Sequence, residues 1–187
     1  MPRGRRVMTR INFGCGTDYR DGWINVDVAE ETKWQSGDRK PDIVISANTS
    51  SLPFESGSVD YVLLDNVIEH IPVEKVHGLL EELRRILKEG GILEMYAPHF
   101  KGIGVKYLEH VRGYGINSFW FWHQYFDVKQ ELLLASRSRC SGFSSVRFVN
   151  KFNFLFNGSI FWQQLCEKFV TGGFEEIHYI MRKNKSL

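Results

Sequence analysis

A chain of 187 residues can bury a substantial core in a single domain, expected to span 1–187. Its hydrophobic content of 43% and charged content of 25% are those of a globular protein, and a net charge of +2 offers no basis for nucleic acid as a partner. Three widely spaced cysteines (Cys15, Cys140, Cys166) without a C-x-x-C pair argue against disulfides or a zinc site. No metal is therefore expected, and a cytoplasmic setting is. No stretch approaches the ~20 apolar residues of a membrane span. Arg3, Arg5 and Arg6 fall in residues 1–8, which are expected to form a flexible tail.

In chain order, the pattern predicts strands over Arg10–Phe13, Trp23–Val28 and Asp42–Ser46. A fourth, Val59–Leu64, is almost continuously apolar, as a strand buried on both faces should be. A helix follows, with Val76, Leu79, Leu80, Leu83, Ile86 and Leu87 in i, i+3, i+4, i+7 spacing. Pro72 lies near its start and Gly90-Gly91 is expected to end it; Glu81, Glu82, Arg84, Arg85 and Lys88 form its solvated face. A fifth strand runs over Ile92–Ala97, closed by Pro98. Lys101–Tyr114 is glycine-rich and reads as a loop. Asp127 is expected to cap a helix through Ser136. Val146–Phe156 and Phe174–Met181 read as strands and Ser159–Phe169 as a helix. Strands alternating with helical segments indicate an α/β domain with a mostly parallel sheet.

The segment "INFGCGTDYRDGWINVDV" after residue 10 carries the first chemical signal. A dinucleotide loop needs G-x-G-x-x-G and an acid ~20 residues on; here Tyr19 stands at the third glycine position. Asp27 follows Gly14 by only 13 residues. A phosphate loop needs Lys-Ser or Lys-Thr, and the turn contains no lysine. The remaining chemistry is two glycines that admit close ligand approach, and an acid that can accept bonds from two ribose hydroxyls. That suits a nucleoside without phosphate.

Four segments, "NFGCG", "NVD", "LPFESGSVDYVLLDNVIEHI" and "LLEELRRILKEGGILEMYAP", occur in order over roughly the first half of the chain. Together they resemble the class I S-adenosylmethionine-dependent methyltransferases, in the type 11-like branch with an LPF segment and an EH pair. The resemblance implies a Rossmann-like three-layer sandwich. Its sheet would have seven strands in the order 3-2-1-4-5-7-6, the last antiparallel. It implies S-adenosylmethionine as cofactor, with Asn12, Gly14, Cys15 and Gly16 lining its methionine part and Asp27 holding the ribose. Asn48 would bond the adenine amino group, with Thr49 and Leu52 beside it; Asp65 and Asn66 would lie near the transferable methyl. About ten residues separate the first two strands, too few for a crossover helix, so that helix should be shortened or missing. The family's N-terminal cover helix is likewise expected to be absent, which leaves a homodimer open.

Methyl transfer to oxygen or nitrogen requires an aligned nucleophile and a base. His99, directly after the fifth strand, and His110, in the glycine-rich segment, are the candidates. Glu69-His70 reads as structural or supporting, His123 as packing, and His77 and His178 as bystanders. The aromatic run "SFWFWHQYF" reads as a packed lid or as a wall for the acceptor, within a substrate region expected over 100–145. The acceptor is expected to be a small molecule or sugar-like metabolite. Two rivals remain: a methyltransferase-like binding or regulatory module without catalysis, and a nicotinamide-dependent oxidoreductase.

Overall fold

The computed structural model describes residues 7–28, 40–46, 49, 51–134, 153–170 and 174–184. The strands are β1 (Arg10–Phe13), β2 (Ile24–Val28), β3 (Ile43–Ile45), β4 (Val59–Asp65), β5 (Leu87–Pro98), β6 (Phe126–Leu134) and β7 (Glu176–Lys183). They form one seven-stranded sheet in the order β3-β2-β1-β4-β5-β7-β6. The first five pair in parallel, while β7 runs antiparallel to both β5 and β6. This is the expected α/β, Rossmann-like sheet and order.

The core follows from strand chemistry. Val62, Leu63 and Leu64 of β4 are all buried, because this central strand is covered on both faces. On β5 and β7, Leu93, Met95 and Ala97 pair with Met181, Tyr179 and Ile177, and all six are buried on one face. Helix α1 (Val73–Ile86) directs Leu80, Leu83 and Ile86 into this core. Each buried aliphatic side chain of this kind contributes roughly 1.5–3 kcal/mol.

The opposite face has a different chemistry. Residues 14–23, between β1 and β2, form turns and no helix. Polar groups occupy the face that a crossover helix would cover. Asn12 and Asn25 are buried side by side, with Asn12 Nδ2 3.1 Å from Asn25 Oδ1. Further along the sheet, His178 stacks on Tyr96 at 4.0 Å and approaches Glu94 Oε1 at 2.7 Å. Trp23 packs edge-on against Tyr61, with the Arg10 and Arg20 guanidinium groups over its ring.

The structure departs from the sequence pattern in several places. Helix α1 ends at Ile86, before Gly90-Gly91, and β5 begins at once with Leu87. The glycines instead fall where β5 is out of register with β4, between its pairings at Val59 and Tyr61. Glu82 and Arg85 do not form a solvated face. Glu82 accepts from the Leu52 N–H at 2.6 Å, and Arg85 donates to the carbonyls of Leu52 and Phe54. Together they clamp the Leu-Pro-Phe segment onto α1. The helix expected from Asp127 to Ser136 is strand β6 over its described part, with 135–136 outside the described residues. A register shift between Val128 and Gln130 moves the inward set from buried Phe126 and half-buried Val128 to buried Glu131 and Leu133, which breaks the period of two.

Residues 146–152 of the expected strand lie outside the described residues, and Asn153–Phe156 form a helical turn, α2. Helix α3 (Ile160–Phe169) forms as expected, with Ser159 Oγ accepting from the Trp162 N–H at its start. Among the described residues, no helix is long and apolar enough to cross a membrane.

Candidate active site

The parallel strands bring the predicted residues to one edge. Phe13, Val26, Leu64 and Met95 stand in register across β1, β2, β4 and β5. The next positions toward the carboxyl ends are therefore Gly14, Asp27, Asp65 and Tyr96. Strand order reverses at β1, and ligands in open α/β sheets bind at such a switch point.

Gly14 and Gly16 adopt left-handed backbone, with φ of 66° and 52°. Gly14 is required twice over, since a Cβ there would lie 2.5 Å from Val67 Cγ2. Asp27 holds the turn closed. Its Oδ2 accepts the Gly16 N–H at 2.6 Å and its Oδ1 accepts the Val28 N–H at 2.7 Å. The Cys15 thiol donates weakly to the same carboxylate at 3.8 Å. Burial, and then the charge of Asp27, push that thiol up to about 12, so it remains protonated. Asn12, almost fully buried, donates to the Asp18 carbonyl at 2.6 Å and so braces the turn from below.

Arg20 ties the turn to β4. Its guanidinium pairs with Asp18 at 2.7 Å and lies 3.6 Å from Asp65, whose side chain is buried. Asn66 takes left-handed backbone, which asparagine tolerates, and its amide donates to Glu176 at 3.1 Å. Thr49 is exposed and its hydroxyl donates to the Ser51 carbonyl, while Leu52 is buried. Asn48 lies outside the described residues.

Sequence reading overlooked Asp42, which accepts from the Asn25 backbone N–H at 2.7 Å and from the Tyr19 hydroxyl at 2.7 Å. Burial raises its carboxyl, but these bonds outweigh it and leave it below the ordinary carboxylate value. Its only sequence signal is its place just before β3.

The two candidate bases differ sharply. His99 has no exposure. Its Nδ1 accepts from the Lys101 N–H at 3.2 Å, which places the proton on Nε2, 3.0 Å from Glu167 Oε1. Phe100 and Phe174 pack on its ring. His110 is partly exposed and meets the His70 ring edge-on at 4.6 Å. Burial, and then the neighbouring His70, hold it below the ordinary histidine value. The Val111 N–H binds the Glu69 carbonyl at 2.8 Å and brings this segment to the Glu69-His70 pair.

The aromatic run divides in two. Phe119 and Trp122 are buried, while Trp120 and Phe121 point outward at 61% and 79% exposure. His123 is exposed rather than packed.

Residues 11–95 match the family described as a methyltransferase domain, type 11. No curated protein matches the chain in sequence. Its fold is similar to that of a SAM-dependent methyltransferase from Archaeoglobus fulgidus, at a TM-score of 0.63 and 14% identity over 95% of this chain and 87% of that one. A SAM-dependent methyltransferase from Methanosarcina mazei aligns at 0.60 and 13% identity, covering 97% and 95%. The [4+2]-cyclase SpnF aligns at 0.60 and 14%, covering 96% of this chain and 75% of that one. At these identities the structural likeness establishes the fold alone.

Strand order and switch-point geometry define the class I methyltransferase fold. The match to that family over residues 11–95 and the fold shared with SAM-dependent methyltransferases together point to S-adenosylmethionine as cofactor.

The donor set fits that cofactor. A carboxylate at the end of β2 suits a ribose diol, and the glycine turn offers backbone to an amino acid moiety without demanding phosphate.

Proposed function

We propose that the chain moves a methyl group to an oxygen or nitrogen of a small-molecule or sugar-like acceptor. The carrying observation is the row formed by Gly14, Asp27 and Asp65 at the switch point. Gly14, Cys15 and Gly16 would line the methionine part, on a turn that Asn12 supports from beneath. Asp27 would hold the ribose with the lone pairs its backbone bonds leave open. Thr49 and Leu52, with Asn48, would flank the adenine, and Asp65 and Asn66 the methyl. When bound, S-adenosylmethionine supplies a sulfonium-activated methyl.

The chain's own task is to align the acceptor and remove its proton. His110 fits the proton-accepting role, because its Nδ1 makes no hydrogen bond, and burial and then His70 hold the ring below the ordinary histidine value. His99, enclosed between Glu167 and two aromatic rings, fits a bracing role instead. Exposed Tyr107, Leu108 and Val111 rim the His110 segment and would face an acceptor with apolar surface. The substrate region would extend over 100–145, of which 135–145 lie outside the described residues, within a single domain of 1–187.

Calorimetric titration with S-adenosylhomocysteine and with NAD tests the cofactor reading; binding of NAD alone overturns it. Transfer of labelled methyl to a metabolite panel then separates enzyme from binding module. On an identified acceptor, His110→Ala should abolish most turnover and His99→Ala should act mainly through stability. Full activity of His110→Ala removes it as the base.

A further inference from the structure

We propose that Glu69, His70 and His110 form a site for one divalent transition-metal ion, whose open positions take donor atoms of the methyl acceptor. One donor atom from each of the three lies within 4.8 Å of the other two. Donor atoms sharing one ion at ~2.0–2.2 Å are roughly 3–3.5 Å apart, so closure shortens the separations by at most about 1.3–1.8 Å. His70 is exposed and can supply it.

Each ligand is held as a metal ligand should be. His70 Nδ1 lies 3.2 Å from the Glu109 carbonyl, and donating to it leaves the lone pair on Nε2. His110 Nδ1 is buried and makes no hydrogen bond, while its ring also bonds the Gly104 backbone. That arrangement leaves the Nδ1 lone pair of a neutral imidazole available. Glu69 is wholly buried on the short turn Ile68–His70, and its own carbonyl accepts the Val111 N–H at 2.8 Å. The Tyr114 hydroxyl donates to the Ile68 carbonyl at 3.1 Å, which fixes the turn from the other side. The carboxylate and the two imidazoles therefore sit on backbone pinned at three points.

Two imidazoles and one carboxylate form an N2O set suited to Zn, Mn, Fe, Co or Ni rather than to Mg or Ca. Three protein ligands leave further positions open, as catalytic sites do. The turn carrying Glu69 and His70 begins three residues after Asp65, at the end of β4 where the methyl is proposed to lie. An ion there would bind an acceptor oxygen or nitrogen beside that point. This part rests on the proposed cofactor placement. Ligation by His110 uses the same lone pair as proton acceptance, so the ion would replace His110 in lowering the acceptor's proton affinity.

The test uses the full chain, untagged, stripped with chelator and dialysed. Co²⁺ is titrated with visible absorption as the readout, and Zn²⁺ by calorimetry. One ion per chain, bound at low micromolar or tighter, is expected. His70→Ala and His110→Ala should each weaken binding at least tenfold, and His77→Ala should leave it unchanged. Glu69→Gln should do the same as the first two where circular dichroism shows it folded; His70→Ala serves where it does not, because His70 is exposed. Binding weaker than about 100 μM, or equal affinity in wild type, His70→Ala and His110→Ala, overturns the site. S-adenosylhomocysteine titrated into the same metal-free protein reports separately. Nucleoside binding without metal binding refutes the metal site alone; metal binding without nucleoside binding refutes the cofactor placement alone.

Discussion

Asp27→Ala tests the core of the proposed cofactor site. In the folded chain the carboxylate already accepts from the Gly16 N–H at 2.6 Å and from the Val28 N–H at 2.7 Å. A carboxylate offers about four lone-pair sites; these two N–H groups take two, and the weak Cys15 thiol bond is one that a ribose hydroxyl can displace, so about two are open to the ribose. Bonds to a charged acceptor contribute about 1.5–3 kcal/mol each, and losing two removes roughly 3–6 kcal/mol. At about 1.4 kcal/mol per decade, S-adenosylhomocysteine should bind ~10²–10⁴-fold more weakly. Asp27→Ala also strips the Gly16 N–H of its acceptor, so the variant should lose about 1–3 kcal/mol of stability. Asp27→Asn keeps the shape and one acceptor atom, and should fall between the two. Calorimetric titration gives the affinities, and urea unfolding establishes that each variant is folded. A folded Asp27→Ala that binds within about threefold of wild type would refute the ribose assignment.

Three further outcomes follow from the same geometry. Gly14→Ala combines a left-handed φ of 66° with a Cβ 2.5 Å from Val67, and should cost about 2–4 kcal/mol in urea unfolding; a loss under about 0.5 kcal/mol would contradict the turn. The bond from Arg85, with lesser help from the Leu52 backbone and Ser51, outweighs burial and holds the Glu82 carboxyl below its ordinary value. Its stabilisation is therefore present above the unfolded value of about 4.3 and is lost as pH falls through the lower folded value. Glu82→Gln should cost about 1.5–3 kcal/mol near pH 7, with the gap to wild type closing below pH ~4; a gap independent of pH would dismiss the charged clamp. Cys15, with its thiol pushed up to about 12 and buried, should resist iodoacetamide at pH 8 until the chain unfolds, as read by peptide mass. Rapid labelling of native protein would show the turn to be open.

Local rules carried most of the fold's first half. The apolar run of β4, the 3.6-residue spacing of α1 and the short crossover after Gly16 are properties of neighbouring residues, and all appear in the structure. Rules fail where partners distant in the chain decide. Strand β6 reads as a helix because a register shift against β7 breaks its alternation, and that shift exists only in the pair. Glu82 and Arg85 read as a solvated face because the loop they clamp lies about 30 residues earlier in the chain.

The same division holds at the site. The sequence by itself determined the glycine turn, the acid at the end of β2 and the absence of a phosphate cradle. Those depend on which residues are present and how far apart they stand. Only the tertiary structure separates the surroundings of two histidines that look alike on paper. His99 is sealed between Glu167 and aromatic rings, whereas His110 is carried 40 residues along the chain to meet His70 and Glu69. A histidine's proton affinity and reach are set by what surrounds it, and the surroundings of both rings come from segments far away in sequence.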